Sequence, residues 1–294
     1  QGLATRTYSE DRRWPPSITT GRALRYAGGS ARGLLHQPLG HGRLSACRQN
    51  EGPELPELVR ISAATYSYRP AGDFRQGIRI VDAPLLTREG AAPLDIMKYQ
   101  VSEAGYARCV AAGVCPSLDA RSGERIDHPQ TGVNYADTTA YAGWLSEQTG
   151  QKWRLPTDEE WLRAAADRAP EDGFDAAVNS ADPSKRWIAS YRREVALRGD
   201  ADLQLHPLAH FGENDLGVAD MAGNVWEWTE TCFQSGTLTA DDAAIASMAD
   251  YCGVRAVQGR HRAFIIDFVR DPRSGGCAVG VPPDFLGFRL VRET

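Results

Sequence analysis

Apolar residues recur at helical spacing in three stretches of this chain and alternate at strand spacing in two. Leu58–Tyr68 alternates loosely and predicts an opening strand, and Ile96–Val101 predicts another. Ser102 then caps a helix running to about Ala112, with Glu103 in the first turn favouring the helix dipole and Gly113 ending it. A second helix is expected between Asn134 and Gly150, with Ala136, Ala140, Tyr141, Trp144 and Leu145 on one face. Leu155-Pro156-Thr157 punctuates the chain before a third helix. There Thr157 and Glu160 form a capping box, and Trp161, Leu162 and Ala165 supply the apolar stripe. Beyond Pro170 the frequent Gly, Asn and Asp predict turns and short strands. Few helices, short strands and long shaped loops predict an α+β domain of low regular secondary structure whose loops build the working surface.

With 42% hydrophobic residues in 294, the chain can bury one large core. No stretch approaches the roughly 18 apolar residues of a membrane span, so no membrane association is expected. The formal net charge of -5 is unevenly spread: residues 1–50 hold eight Arg and two acidic residues, leaving -11 for the rest. An acidic folded region argues against a nucleic-acid partner and suits a metal cation or a basic partner. Residues 1–50 show no apolar periodicity and no continuous apolar stretch of a secretory signal. They read as a disordered or non-domain extension, with an Arg-rich partner-binding arm as the alternative. Six cysteines are present, at 47, 109, 115, 232, 252 and 277. Cys109 and Cys115 flank a short turn that a local disulfide could close. Disulfides would imply an oxidising compartment, and reduced buried thiols a reducing one.

The densest chemistry lies in Gly212–Thr229. Asp220, Gly223, Val225 and Glu227 stand at offsets 0, 3, 5 and 7, so two carboxylates and two backbone carbonyls can cluster in one loop. Hard oxygen donors so arranged suit calcium; the alternative is a turn whose Asp and Glu accept from backbone amides. Gly223-Asn-Val-Trp-Glu-Trp228 resembles the signature of the formylglycine-generating-enzyme (sulfatase-modifying-factor) family. Arg154-Leu-Pro-Thr-Asp-Glu-Glu-Trp161 is similar to a second hallmark, and Leu286-Gly-Phe-Arg-Leu290 to the terminal strand. Pro129–Leu145 is similar to the family's first hallmark helix, and Leu58-Val-Arg-Ile61 to its first strand. The matches occur in the family's order from Leu58 to Arg292. The resemblance implies a mixed fold related to C-type lectin-like domains, over residues 58–292. It also implies a structural calcium held by Asp220, Gly223, Val225 and Glu227.

Active members of that family oxidise a substrate cysteine using copper(I) held by two cysteines, the soft thiolate pair that this ion needs. The corresponding segment here, Gln258–Cys277, holds a single cysteine, and Phe268 stands near the place of the first copper ligand. Copper is therefore not expected. Nor is the iron of the sulfoxide-synthase branch, because the six histidines do not form its pattern and Pro207 breaks a helical pairing of His206 with His210. The rewritten segment offers Arg260, His261, Asp267, Arg270 and Cys277, which are expected to build the working surface together with Trp226 and Trp228. His261 could serve as a general base oriented by Asp267 or Asp271, and the arginines could clamp an anion. The plainer alternative is loop ion pairing. Cys277 could be a reactive thiol, or pair with Cys232 or Cys252.

The Cys252-Gly-Val-Arg255, Gly259-Arg-His-Arg262 and Asp271-Pro-Arg-Ser-Gly-Gly-Cys277 runs resemble the NirV-like subgroup, encoded near copper nitrite reductases. The chain is also similar to PvdO-like proteins of periplasmic siderophore maturation. Together these resemblances imply an exported, monomeric accessory or maturation protein, oxidoreductase-like if catalytic. It would act on a protein or peptide partner, with a copper nitrite reductase as the candidate. Two rival expectations are a true formylglycine-generating cysteine oxidase acting on a sulfatase-type substrate, and a non-catalytic lectin-like binding module.

Overall fold

Three helices start where the chain supplies caps. In the computed structural model, α1 (Glu103–Ala111) begins at Ser102, whose hydroxyl accepts from the Gly105 N–H. Helix α2 (Tyr135–Thr149) begins with a reciprocal capping box between Asn134 and Asp137 and ends at Gly150, whose φ of 65° favours glycine. Helix α3 (Asp158–Ala165) begins with the expected Thr157–Glu160 box, and Arg154 holds the Glu160 carboxylate with two bonds of 2.6 and 2.7 Å. The structure describes residues 55–89, 92–118, 125–170, 204–239, 244–266 and 282–293, together with Ser184, Lys185, Ile188, Ala189, Tyr191, Arg192 and Asp202. The predicted N-terminal extension, Asp267, Phe268, Arg270 and Cys277 lie outside the described residues.

Among the described residues the strands form three sheets. One is ordered β1 (Leu58–Ile61), β6 (Leu94–Met97), β12 (Val291–Arg292) and β7 (Trp153–Arg154). The largest runs β10 (Ala263–Ile266), β9 (Ile245–Gln258), β8 (Trp226–Leu238), β3 (Gly72–Gln76) and β4 (Arg79–Val81), with β11 (Leu286–Gly287) parallel to the start of β8. Strands β2 (Tyr66–Tyr68) and β5 (Leu86–Arg88) pair with each other. This is an α+β arrangement, and among the described residues no helix is long and apolar enough to cross a membrane.

Three sequence expectations are corrected. The opening strand is split, because the chain leaves its β6 partner after Ile61 and Arg163 takes the Ser62 carbonyl. Strand β6 ends at Met97 instead of continuing to Val101: the Met97 and Lys98 carbonyls turn toward Arg289 rather than a strand neighbour. The region expected to hold only short strands contains β8 and β9, of 13 and 14 residues. The outer half of β9 is exposed and most of that of β8 is half-buried, so neither shows the apolar alternation that marks a strand.

Among the described residues two disulfides brace the fold, Cys109–Cys115 from α1 to the turn that follows it and Cys232–Cys252 across β8 and β9. The first matches expectation. The second corrects the pairing of Cys277 with either of those cysteines, since each is already the other's partner.

The core has two main apolar clusters. One gathers Tyr106, Tyr141, Trp144, Leu145, Trp153, Trp228 and Phe288; the other gathers Ile61, Leu94, Ile96, Trp161, Met221 and Val291. Set into this core is a buried ion pair. Arg289 donates from Nε to Glu227 Oε2 at 2.6 Å and from Nη2 to Oε1 at 2.8 Å. Its remaining donors reach the carbonyls of Met97, Lys98 and Ala219. Glu227 also accepts from Trp161 Nε1 and Gln100 Nε2, both at 2.9 Å.

Because both charges are buried, removing one strands the other. Glu227→Gln is expected to lower unfolding free energy by about 3–5 kcal/mol, read by urea denaturation. A Glu227→Gln/Arg289→Met double variant should lose less than the two single variants summed; additive losses would contradict the coupling.

Candidate functional site

The loop between Phe211 and Trp226 takes its shape from backbone conformations that side chains seldom adopt. Asp220, Ala222 and Asn224 have φ of 56°, 58° and 61°. Each lies in the left-handed region, which Asp and Asn tolerate better than most residues. The Asp220 carboxylate accepts from the backbone N–H groups of Ala209 and of Phe211, the latter at 2.8 Å. Burial pushes this carboxyl above its ordinary range, against the two amides that favour the ion. Asn224 clamps His206 at both backbone atoms, accepting from its N–H at 3.0 Å and donating to its carbonyl at 2.9 Å. Gly223 leaves room for Phe211: a Cβ there would stand 2.9 Å from Phe211 Cγ.

The four residues implied as calcium ligands do not fit that ion. Both oxygens of Asp220 are engaged by amides, and the Gly223 carbonyl accepts from the Val225 N–H at 2.8 Å. Glu227 meets two donors at each oxygen, one of them a guanidinium that already neutralises its charge. A calcium ion would have to displace Arg289 from the core. The alternative, a turn whose carboxylates accept from backbone amides, describes Asp220, whereas Glu227 accepts from side chains.

The predicted working surface comes together in part. Trp226 is half-buried, donates from its indole to the His261 carbonyl at 3.2 Å, and meets the His261 ring edge-to-face at 5.3 Å. Phe285 flanks the same indole at 5.5 Å. Arg260 donates to the Asp202 carbonyl. Trp228 does not share this surface: it is buried in the core and donates to the Val133 carbonyl at 2.9 Å. Arg262, which follows His261 in the chain, also faces inward, pairing with buried Asp158 at 2.8 Å beside Gln258. For Arg262, ion pairing within the fold is therefore the outcome. Asp267, Arg270 and Cys277 are outside the described residues.

One grouping escaped the sequence reading. The rings of His206 and His210 stack at 3.9 Å with 8° between their planes, and Asp202 Oδ2 lies 2.6 Å from His206 Nε2. Phe211 presses edge-on against both rings, at 5.6 and 4.9 Å. Pro207 does prevent a helix here, as its chemistry requires, but the turn it starts brings the imidazoles together by another route.

The model of the sulfatase-modifying factor enzyme 1-like domain matches residues 45–294. The chain belongs to this family. A formylglycine-generating enzyme of Mycobacterium tuberculosis (strain ATCC 25618 / H37Rv) is 34% identical over 119 residues, 39% of this chain and 37% of that protein. The inactive C-alpha-formylglycine-generating enzyme 2 of Bos taurus is 27% identical over 178 residues, 57% of this chain and 51% of that protein. The chain thus spans between about a third and a half of the length of these curated relatives. The solved structure of PvdO from Pseudomonas aeruginosa aligns with a TM-score of 0.51 and 25% identity, covering 81% of this chain and 95% of that one. The family assignment accounts for the α+β fold and for the order of the Arg154, Gly223 and Leu286 motifs.

Two outcomes test the loop. Gly223→Ala is expected to cost about 1–3 kcal/mol in urea unfolding, because the added methyl overlaps Phe211. Millimolar calcium or EGTA is expected to move Tm by less than about 1 °C, since a ligand that gains no native-state affinity gives no linkage. A rise of several degrees with calcium, abolished by Asp220→Asn, would contradict the donor assignment.

Proposed function

We propose that this family member is an exported accessory protein that docks on a protein or peptide partner and assists its maturation without copper-dependent cysteine oxidation. The observation that carries this reading is the state of its sulfur. Among the described residues all four cysteines are closed in disulfides, so none offers a thiolate. Copper(I) chemistry of the generating type needs two such thiolates side by side. The 232–252 cystine also withdraws the two cysteines best placed by sequence to have joined Cys277.

Two further observations support the reading. Disulfides persist in oxidising compartments, in keeping with export. A bovine relative is named as an inactive member of the same enzyme family, so the scaffold occurs without generator activity. The docking surface in this account is built by Trp226, Arg260 and His261, an aromatic and basic face on an otherwise acidic domain. Aromatic and Arg residues are the side chains that most often anchor protein contacts. The NirV-like character of the Gly259-Arg-His-Arg262 run makes a copper nitrite reductase the first partner to test.

The decisive assay combines anaerobic copper(I) titration against a competing chelator with oxidation of cysteine-containing peptides. No tight copper(I) uptake and no aldehyde product are expected. Stoichiometric uptake with turnover would instead return the chain to the generators. Binding to a copper nitrite reductase should be measurable by interferometry and fall at least about tenfold in Arg260→Ala/His261→Ala, the effect of losing a central anchor.

A further inference from the structure

The geometry points to a divalent transition-metal site formed by Asp202, His206 and His210, separate from the four residues of the motif loop that the family resemblance implied as calcium ligands. One donor atom from each residue lies within 4.8 Å of the others. Zinc–nitrogen and zinc–carboxylate bonds are about 2.0–2.2 Å, so two ligands of one ion stand at most about 4.3 Å apart. In a tetrahedral shell the ligand atoms stand closer still, and an ion lies in the plane of each ring that binds it, so closing the cage requires one imidazole to turn out of the stack on this exposed rim.

The donor chemistry selects the ion class. His206 and His210 each offer an imidazole nitrogen, and Asp202, whose other oxygen accepts from the Gln204 N–H at 2.9 Å, offers a carboxylate oxygen. Two imidazoles and one carboxylate suit zinc and its first-row neighbours. They are too nitrogen-rich for calcium or magnesium and lack the sulfur that copper(I) prefers. Three protein ligands leave a coordination position open on this exposed rim, the arrangement of a zinc site that can take a further ligand.

The supporting layer is built into the motif loop. Asn224 fixes the His206 backbone from both sides, Asp220 fixes the amides on either side of His210, and Phe211 buttresses both rings. Arg260 holds the Asp202 carbonyl. Outer contacts of this kind orient ligands before the ion arrives. The family signature would then position a metal site one shell further out than the motif itself.

The test is zinc titration of the full, tag-free chain, stripped with EDTA and alkylated beforehand so that no thiol contributes, against a chromophoric chelator. One equivalent is expected to bind, to disappear in His206→Ala/His210→Ala, and to weaken about 10- to 100-fold in Asn224→Ala, the usual loss when an outer contact is removed. Near-ultraviolet circular dichroism without metal checks that each variant keeps its fold. Cobalt(II) added to the unmutated chain gives a second readout, visible bands of a nitrogen- and oxygen-ligated ion. Absence of zinc binding to the unmutated chain, or equal binding by the folded double-histidine variant, would overturn the inference and leave the cluster as a hydrogen-bonded stack.

Discussion

Everything in this fold converges on one buried charge pair. A guanidinium and a carboxylate have been taken out of water together, which is costly unless every donor and acceptor finds a partner. Here they do. Arg289 uses the last strand segment to reach Glu227, then spends its other N–H groups on carbonyls from the end of β6 and from the motif loop. Trp161 and Gln100 complete the carboxylate. One pair therefore ties α3, β6, β8, the signature loop and the C-terminal strand, elements up to 192 residues apart in the chain.

The same logic explains the signature. Its Trp-Glu-Trp ending places three side chains in three environments: Trp226 toward the half-open surface, Glu227 into the ion pair, and Trp228 into the core. Upstream, Asp220 and Asn224 bend into left-handed conformations so that their short side chains can hold the 206–211 segment. The strain of those conformations is offset by hydrogen bonds that the segment would otherwise lack. A motif that reads as a cation cage is, in this chain, a device for organising its own backbone.

Much of the fold was legible because caps and apolar stripes are local. Ser102, Asn134 with Asp137, and Thr157 with Glu160 start the three helices where the residues require. The long strands β8 and β9 were not legible, since the exposed stretch of β9 and the evenly half-buried stretch of β8 carry no burial alternation to read. At the site, Trp226 and His261, expected on one working surface, do meet, whereas Trp228 belongs to the core and Arg262 to a buried pair with Asp158. Ligand offsets within the loop could not reveal that Arg289 already occupies Glu227, because the two are 62 residues apart. The histidine stack was missed for a related reason: helical spacing was the wrong geometry to ask of residues joined by a proline turn.

The most direct measurement is a crystal structure of the chain grown in excess calcium. The account predicts Glu227 bonded to Arg289 and Trp161, Asp220 bonded to the amides of Ala209 and Phe211, and no cation between the two carboxylates. A calcium ion coordinated by Asp220 and Glu227, with Arg289 turned elsewhere, would contradict it.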